Sequence, residues 1–142
     1  RLRREMVAAG WLDVGGQTVE LTWQGKKFFL AGNEWPWFGV PPQSPAADQP
    51  RLLLAHTPDL FPWAQREQYD LMFAGHTHGG QIRFPGVGPL ISPSRFGFRY
   101  ASGVFHEGPT VMHVSRGLSG EHLVRWNCRP EITKLVLRSG RS

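Results

Sequence analysis

Two short apolar segments, each ending in a histidine, constrain the fold of this 142-residue chain more than any other feature. RLLLAH (51–56) and YDLMFAGH (69–76) are nearly unbroken apolar runs, the pattern of strands that are covered on both faces. The segment between them can begin a short helix, capped by Thr57 with Pro58 in its first turn. A strand, a short helix and a second strand predict a crossover between two parallel strands.

Three histidines lie where these two strands end. His56 ends the first, and His76 and His78 lie in the glycine-rich loop AGHTHGGQ (74–81) after the second. Because open α/β sheets bind ligands at the carboxyl ends of parallel strands, we expect the three imidazoles to converge. If the loop stays extended through Thr77, both of its histidines face one side. Each histidine taken alone is more readily a hydrogen-bonded surface residue, but the joint pattern predicts metal ligands.

Other polar residues near these histidines have alternative interpretations. Asp59 could orient a ligand histidine, but its place in the first turn of the helix explains it as well, and we prefer that explanation. A few arginines could contact a phosphate, although most are expected to be solvated surface charges: Arg83, Arg95, Arg99 and Arg116. The remaining histidines show no ligand spacing and are expected in a turn, a strand and a loop: His106, His113 and His122. Cys128, the single cysteine, is predicted to be a small buried residue.

The first third of the chain predicts a helix and a hairpin. RLRREMVAAGW (1–11) has the spacing of a helix already under way, with Gly10 as its cap, and we expect the chain to be a piece of a longer protein. QTVELTW (17–23) and KKFFLAG (26–32) read as two strands. Gln24 and Gly25 between them predict a tight turn.

Two further segments complete the local predictions. The proline-rich stretch 33–50 is predicted to be a surface loop, because proline lacks an amide donor and fixes φ. We expect its aromatic residues to pack the loop down rather than grip a substrate: Trp35, Trp37 and Phe38. Near the C-terminus, LVRWN (123–127) and ITKLVL (132–137) are predicted to form a closing hairpin around Arg129 and Pro130.

Composition limits the class of protein. The 40% hydrophobic and 19% charged content fits one globular domain, and no apolar run reaches the roughly 20 residues of a membrane span, so we predict a soluble chain. A net charge of +5 with interleaved aromatics suits a nucleic-acid-binding module without catalysis, which we keep as the alternative function. Because the charges are scattered along the sequence, we expect no specific nucleic-acid partner.

The His-Thr-Pro-Asp segment at 56–59 followed by GHTHGGQ at 75–81 resembles the calcineurin-like metallophosphoesterases. The similarity is to the bacterial GHTHGGQ branch, related to UDP-diacylglucosamine hydrolases, and it extends over most of residues 50–138. The resemblance implies an α/β fold, a mixed β-sheet with few helices that forms the C-terminal half of a four-layer αββα sandwich. Residues 1–142 would then be the C-terminal portion of a metallophosphoesterase domain whose N-terminal metal-binding half is absent.

The same resemblance implies a function and its cofactors. Family members hydrolyse phosphoester or pyrophosphate bonds with two divalent transition metal ions, Mn, Fe, Zn or Ni, and a metal-activated hydroxide. Carried over by motif, His56 and His76 bind one metal and His78 binds the other. A phosphorylated small molecule or a lipid-linked substrate is implied, and the parent protein is expected in the cytoplasm or at the membrane of a bacterium.

The chain departs from the family pattern upstream of these histidines. The Asp-x-His, Gly-Asp and Gly-Asn-His segments are missing, and GNEW (32–35) lacks the histidine of the last, so we do not assign a metal to Asn33. Two contacting dications need anionic ligands between them. We therefore expect this chain alone to be nearly inactive and to hold metal weakly or not at all. Its expected partners are the missing N-terminal half and, through the exposed sheet, copies of itself.

Overall fold

The computed structural model describes residues 1–37, 41–45, 48–90, 92–120 and 124–138. Phe38 and His122 lie outside these ranges. The helices and strands, in chain order, are α1 (Leu2–Ala8), β1 (Thr18–Trp23), β2 (Lys26–Asn33), β3 (Arg51–Ala55), α2 (Phe61–Arg66), β4 (Leu71–Ala74), β5 (Arg83–Phe84), β6 (Gly88–Pro89), β7 (Gly103–Glu107) and β8 (Thr110–Val114). Six strands form one sheet in the order β1-β2-β3-β4-β8-β7, and β5 pairs with β6.

The large sheet is mixed, with a parallel centre and antiparallel edges. Strands β2, β3, β4 and β8 run parallel, whereas β1 and β7 pair antiparallel with their neighbours β2 and β8. The α/β class with a mixed sheet and few helices is therefore confirmed. Among the described residues, no helix is both long enough and apolar enough to cross a membrane.

The predicted crossover between the two histidine-bearing strands is confirmed. Strand β3 pairs parallel with β4, and α2 lies between them in the chain. The Thr57 hydroxyl accepts a hydrogen bond from the Asp59 amide at 3.2 Å and so caps the 3₁₀ turn Pro58–Leu60. Pro62 lies in the first turn of α2, where its missing amide donor costs nothing.

The predicted N-terminal hairpin is also confirmed. Trp23 and Lys26 are the last paired residues of β1 and β2, so the turn between them contains two residues. Gln24 and Gly25 have φ values of 51° and 74°. Positive φ at both central positions is the feature of the type I′ turn, whose twist matches that of the flanking strands.

One face of the sheet packs on α2 and forms the core. Ala31, Leu53, Met72 and Met112 stand in register across four neighbouring strands, and all are fully buried. Phe61 and Ala64 of α2, with Tyr69, Phe96 and Tyr100, belong to or pack against the same cluster. This arrangement fixes the ends of β3 and β4, from which the histidines follow.

The opposite face of the sheet is apolar but incompletely covered. Leu52, Leu71 and Val111 stand in one registered row, and all three are only half-buried. Leu54 and Val104 on the same face are 40% and 64% exposed. Since central parallel strands are normally covered on both faces, this surface has the character of an interior that the described residues leave without a second layer.

Three local predictions are wrong. None of the described residues 124–138 lies in a strand, because Trp126 bonds instead to the segment around Ile82, donating from its amide to the Gln81 carbonyl at 2.9 Å. His106 lies in β7 and not in a turn. Trp35 and Trp37 do not pack the proline-rich loop down, since their side chains are 42% and 67% exposed.

Candidate metal centre

The carboxyl ends of three parallel strands meet at one edge of the sheet. Asn33 ends β2 and is paired with Ala55, which ends β3 and precedes His56. The Gly75 amide, which follows β4, donates to the His56 carbonyl at 3.1 Å. The backbone therefore holds His56 next to the residue that precedes His76.

The structure brings the imidazoles of His56 and His76 into contact. The His56 Nε2 and His76 Nδ1 atoms are 3.0 Å apart, and the ring centroids are 4.6 Å apart with an angle of 49° between the planes. At this separation one nitrogen can donate a hydrogen bond to the other, and the tautomers of the two rings decide which one donates. His56 is exposed and His76 is half-buried, so the pair faces the surface rather than the core.

The loop that carries His76 and His78 is coiled, so the expectation of an extended loop is wrong. His76 and His78 have φ values of 69° and 50°, and the intervening Thr77 is helical at −70° and −17°. The Thr77 side chain is buried, and its hydroxyl donates to the Ala101 carbonyl at 2.7 Å. This buried hydrogen bond turns the loop inward at Thr77, which overrides the two-residue alternation of a strand.

His78 is close to the pair but does not complete a three-ligand cluster. It begins the 3₁₀ turn His78–Gly80 and acts electrostatically on His56. Within the described ranges, no three His, Cys, Asp or Glu side chains are grouped so that they could hold one ion. The three predicted residues thus share one edge of the sheet, but only His56 and His76 touch.

The electrostatics of the site favour a neutral His56 ring. Although His56 is exposed as a whole, neighbouring groups partly desolvate its ring, and this lowers its pKa below the usual value; the positive charges that His76 and His78 would carry when protonated lower it further. A ring whose pKa is lowered stays neutral to lower pH. Neutral imidazole is the form that ligates a metal.

The geometry of the two rings fits two ligands of one metal ion. With metal–nitrogen bonds of roughly 2.0–2.1 Å, two nitrogens on one ion lie about 3.3 Å apart at tetrahedral angles and about 2.9 Å apart at octahedral angles. The 3.0 Å separation of His56 Nε2 and His76 Nδ1 lies between these values. His56 and His76 therefore fit one metal ion as two of its ligands, and the described residues supply no third ligand to the same ion.

The histidine loop is held by hydrogen bonds to its backbone from Arg125 and Cys128, a role that the sequence did not predict. Arg125 donates to the His78 carbonyl at 3.3 Å and to the Arg116 carbonyl at 2.8 Å, and the Cys128 thiol donates to the His78 carbonyl at 3.3 Å. Gly79 has φ 67°, and a Cβ there would lie 2.7 Å from the Cys128 sulfur. Cys128 is buried as predicted, but its role as a donor to the loop had no signal in the sequence.

The arginines considered for phosphate binding have protein partners. Each guanidinium contacts a carboxylate or carbonyl oxygen: Arg83 the Gly79 carbonyl, Arg95 the Asp59 carbonyl, Arg99 the Glu107 carboxylate and Arg116 the Glu131 carboxylate. The Asp59 carboxylate accepts hydrogen bonds from the Ser94 hydroxyl and the Arg95 amide, so it ties a loop to the 3₁₀ turn.

The two other described histidines lie in strands of the large sheet. His113 is buried in β8 and His106 is exposed in β7.

The paired imidazoles lie at the carboxyl ends of parallel strands, where α/β folds bind ligands, and imidazole is a common ligand of transition metals. The chain is 38% identical over 132 residues to phosphodiesterase YaeI of Escherichia coli K12, covering 92% of this chain and 48% of that protein. It is 40% identical over 89 residues to the uncharacterized metallophosphoesterase YkuE of Bacillus subtilis 168, covering 62% of this chain and 31% of that protein. The resemblance to metallophosphoesterases is therefore confirmed.

A third relative adds a more distant branch. UDP-2,3-diacylglucosamine pyrophosphatase LpxG of Chlamydia trachomatis is 33% identical over 90 residues, covering 58% of this chain and 27% of that protein. The chain spans about half the length or less of these curated relatives, in their C-terminal portion. No family model matches the chain. No solved structure matches it either.

Proposed function

We propose that this chain is the C-terminal portion of a metal-dependent phosphoesterase that hydrolyses phosphodiester or pyrophosphate bonds. The observation that carries the proposal is the 3.0 Å approach of His56 Nε2 and His76 Nδ1 at the carboxyl edge of the sheet. The names of the relatives, a phosphodiesterase, a metallophosphoesterase and a pyrophosphatase, support the same reaction class. A lipid-linked phosphate of the LpxG type is one candidate substrate.

The ligand set at this edge argues for a centre that is completed by residues outside this chain. His56 and His76 would hold one divalent metal and His78 the second, with the anionic ligands supplied by the part of the domain that this chain does not span. Bound metals of this kind supply a nucleophile at neutral pH and neutralise charge on the phosphoryl oxygens. The residues of this chain position the ions, and His56 is kept neutral for ligation by its lowered pKa.

Hydrolysis of bis(p-nitrophenyl) phosphate tests the proposal. We expect the full-length protein supplied with Mn²⁺ to release p-nitrophenolate, and EDTA to abolish the reaction, because the nucleophile depends on the metal. The 142-residue chain alone is expected to be at least about 100-fold slower, since it holds only part of the ligand set. Hydrolysis that survives removal of metal would refute the proposed chemistry. Full activity of the isolated chain would refute the proposed division of ligands.

The uncovered sheet face predicts self-association of the isolated chain. We expect light scattering to show a dimer or larger species, because burial of Leu54 and Val104 removes apolar area from water at roughly 25 cal/mol per Å². Val104→Glu is expected to shift the population toward monomer. Val87→Glu is the matched control, since Val87 is 78% exposed but lies in the β5–β6 turn, outside the six-stranded sheet. A wild-type chain that is monomeric at tens of micromolar would contradict the prediction.

A further inference from the structure

A cavity of about 360 Å³ adjoins the histidine pair, and neither metal binding nor hydrolysis accounts for it. His56 forms one end of the cavity, Val14 and Leu54 contribute apolar surface, and Asn33, Glu34 and Trp37 complete the polar and aromatic lining. A group placed here would lie next to any phosphoryl group held at the histidines. The cavity is therefore in position to receive what is esterified to that phosphoryl group.

Asn33 lines this cavity, and its side chain carries a buried hydrogen-bond donor that has no partner among the described residues. Its side chain is 4% exposed, and its Oδ1 atom accepts from the Trp35 amide at 2.9 Å, which fixes which end of the amide is the donor. The Nδ2 atom is buried and makes no hydrogen bond. A buried donor without a partner is costly, and such groups commonly await a ligand or water. An oxygen acceptor on a ligand would satisfy it.

Trp37 provides an aromatic surface beside His56. Its side chain is 67% exposed although it is apolar, and its ring centroid lies 6.4 Å from that of His56 with an angle of 65° between the planes. An exposed indole at the mouth of a cavity is suited to stack on a ring of a ligand. The short distance to His56 places such a ring beside one of the two paired histidines.

The charge of the cavity selects against ionic groups. Among the described residues of the lining, Glu34 is the single charged residue apart from the ionisable His56, and its carboxylate is paired with the Arg3 guanidinium. Neither an unpaired cation nor an unpaired anion is thus presented to a ligand by the lining. The remaining lining is apolar or carries the neutral amide of Asn33.

We propose that this cavity binds an uncharged ring bearing an oxygen acceptor, attached through oxygen to the phosphoryl group, with Trp37 stacking on the ring and Asn33 Nδ2 donating to the acceptor. This inference rests on the proposed phosphoesterase function and names the part of the substrate that the histidines do not contact. A sugar ring bonded to the ester oxygen has this chemistry, and so has the nucleobase of a nucleotide, which is joined to the ester oxygen through its sugar. The cavity makes the enzyme selective for diesters that carry such a ring over diesters with a small alkyl group.

Two diesters with the same leaving group test the selectivity. In the full-length protein with Mn²⁺, we expect kcat/KM for thymidine 5′-(p-nitrophenyl phosphate) to exceed that for methyl p-nitrophenyl phosphate by roughly tenfold or more, the order expected for one stacked ring. Trp37→Ala and Asn33→Leu are expected to abolish the preference by lowering kcat/KM for the thymidine ester to about that for the methyl ester. Trp23→Ala is the control, because Trp23 is 72% exposed at the far end of the β1–β2 hairpin.

A binding measurement without metal separates this inference from the proposed function. We expect thymidine or methyl glucoside, neither of which contains phosphate, to quench tryptophan fluorescence in the metal-free wild type and in Trp23→Phe but not in Trp37→Phe. Quenching by one and not the other identifies the ring as a base or a sugar. If neither diester is hydrolysed, the phosphoesterase proposal fails while Trp37-dependent quenching still supports the cavity. If Trp37→Phe quenches like the wild type, or if the ester preference survives Trp37→Ala, the cavity inference is overturned.

Discussion

Replacing His76 by Ala is expected to lower kcat/KM of the full-length protein for bis(p-nitrophenyl) phosphate by roughly 100-fold or more, since even indirect disturbance of a metal ligand costs 10–100-fold. His76 Nδ1 and His56 Nε2 are separated by the distance expected of two ligands on one ion. Loss of either ring should therefore release the same metal. Metal content after dialysis, measured together with kcat/KM, checks the prediction.

The pairing of these two rings makes a sharper prediction for the double variant. Once His76→Ala has removed the ion that both rings hold, His56→Ala should lower kcat/KM little further. The losses of the two single variants should therefore be far from additive. His106→Ala is the matched control, because His106 is exposed in the edge strand β7. Additive losses, or a His76→Ala protein that keeps both metal and activity, would show that the two rings do not share an ion.

Local signals in the sequence were sufficient for the elements that lead to the site. The apolar runs before His56 and His76, the Thr57 cap and the Gln24–Gly25 turn each depend on neighbouring residues, and each has the predicted structure. Once two such strands are parallel neighbours, their ends must meet. The contact between His56 and His76 therefore follows from strand patterns and chain connectivity.

Tertiary contacts determine the parts that the sequence could not predict. The alternation in ITKLVL is typical of a strand, yet Ile132 is 83% exposed and the segment has no strand partner among the described residues. The loop at 74–81 coils because the Thr77 hydroxyl donates a hydrogen bond to the Ala101 carbonyl, 24 residues away in sequence. Asn33 and Trp37 join His56 in one cavity only after β2 and β3 have paired, so their proximity carries no local signal.

Arg125 is the residue whose loss is expected to affect stability most directly at the histidine loop. Its guanidinium donates to the carbonyls of Arg116, Cys128 and His78, and also to that of Ser119. A single planar group thus joins the histidine loop at His78 to two other segments, residues 116–119 and the segment around Cys128. Removing it leaves several carbonyls without a donor, in a half-buried environment where each hydrogen bond to a charged group contributes roughly 1.5–3 kcal/mol.

We expect Arg125→Met to lower the free energy of unfolding of the full-length protein by about 3 kcal/mol, measured by urea denaturation, because a side chain of similar length removes the donors but keeps much of the packing. Arg125→Lys should recover only part of the loss, since one ammonium group cannot reach carbonyls on all sides. Arg66→Met is the control: Arg66 is exposed on α2 and should change stability by less than about 0.5 kcal/mol.

Arg125→Met also tests whether the shape of the histidine loop depends on the hydrogen bond that Arg125 donates to the His78 carbonyl. Because Arg125 and Cys128 both donate to the His78 carbonyl, loosening this contact should also weaken metal binding by the full-length protein. Arg125→Met is therefore expected to lose stability and metal affinity together, whereas His76→Ala should lose metal affinity while keeping most of its metal-free stability. A urea midpoint for Arg125→Met that equals that of Arg66→Met would show that the loop holds its shape without the guanidinium.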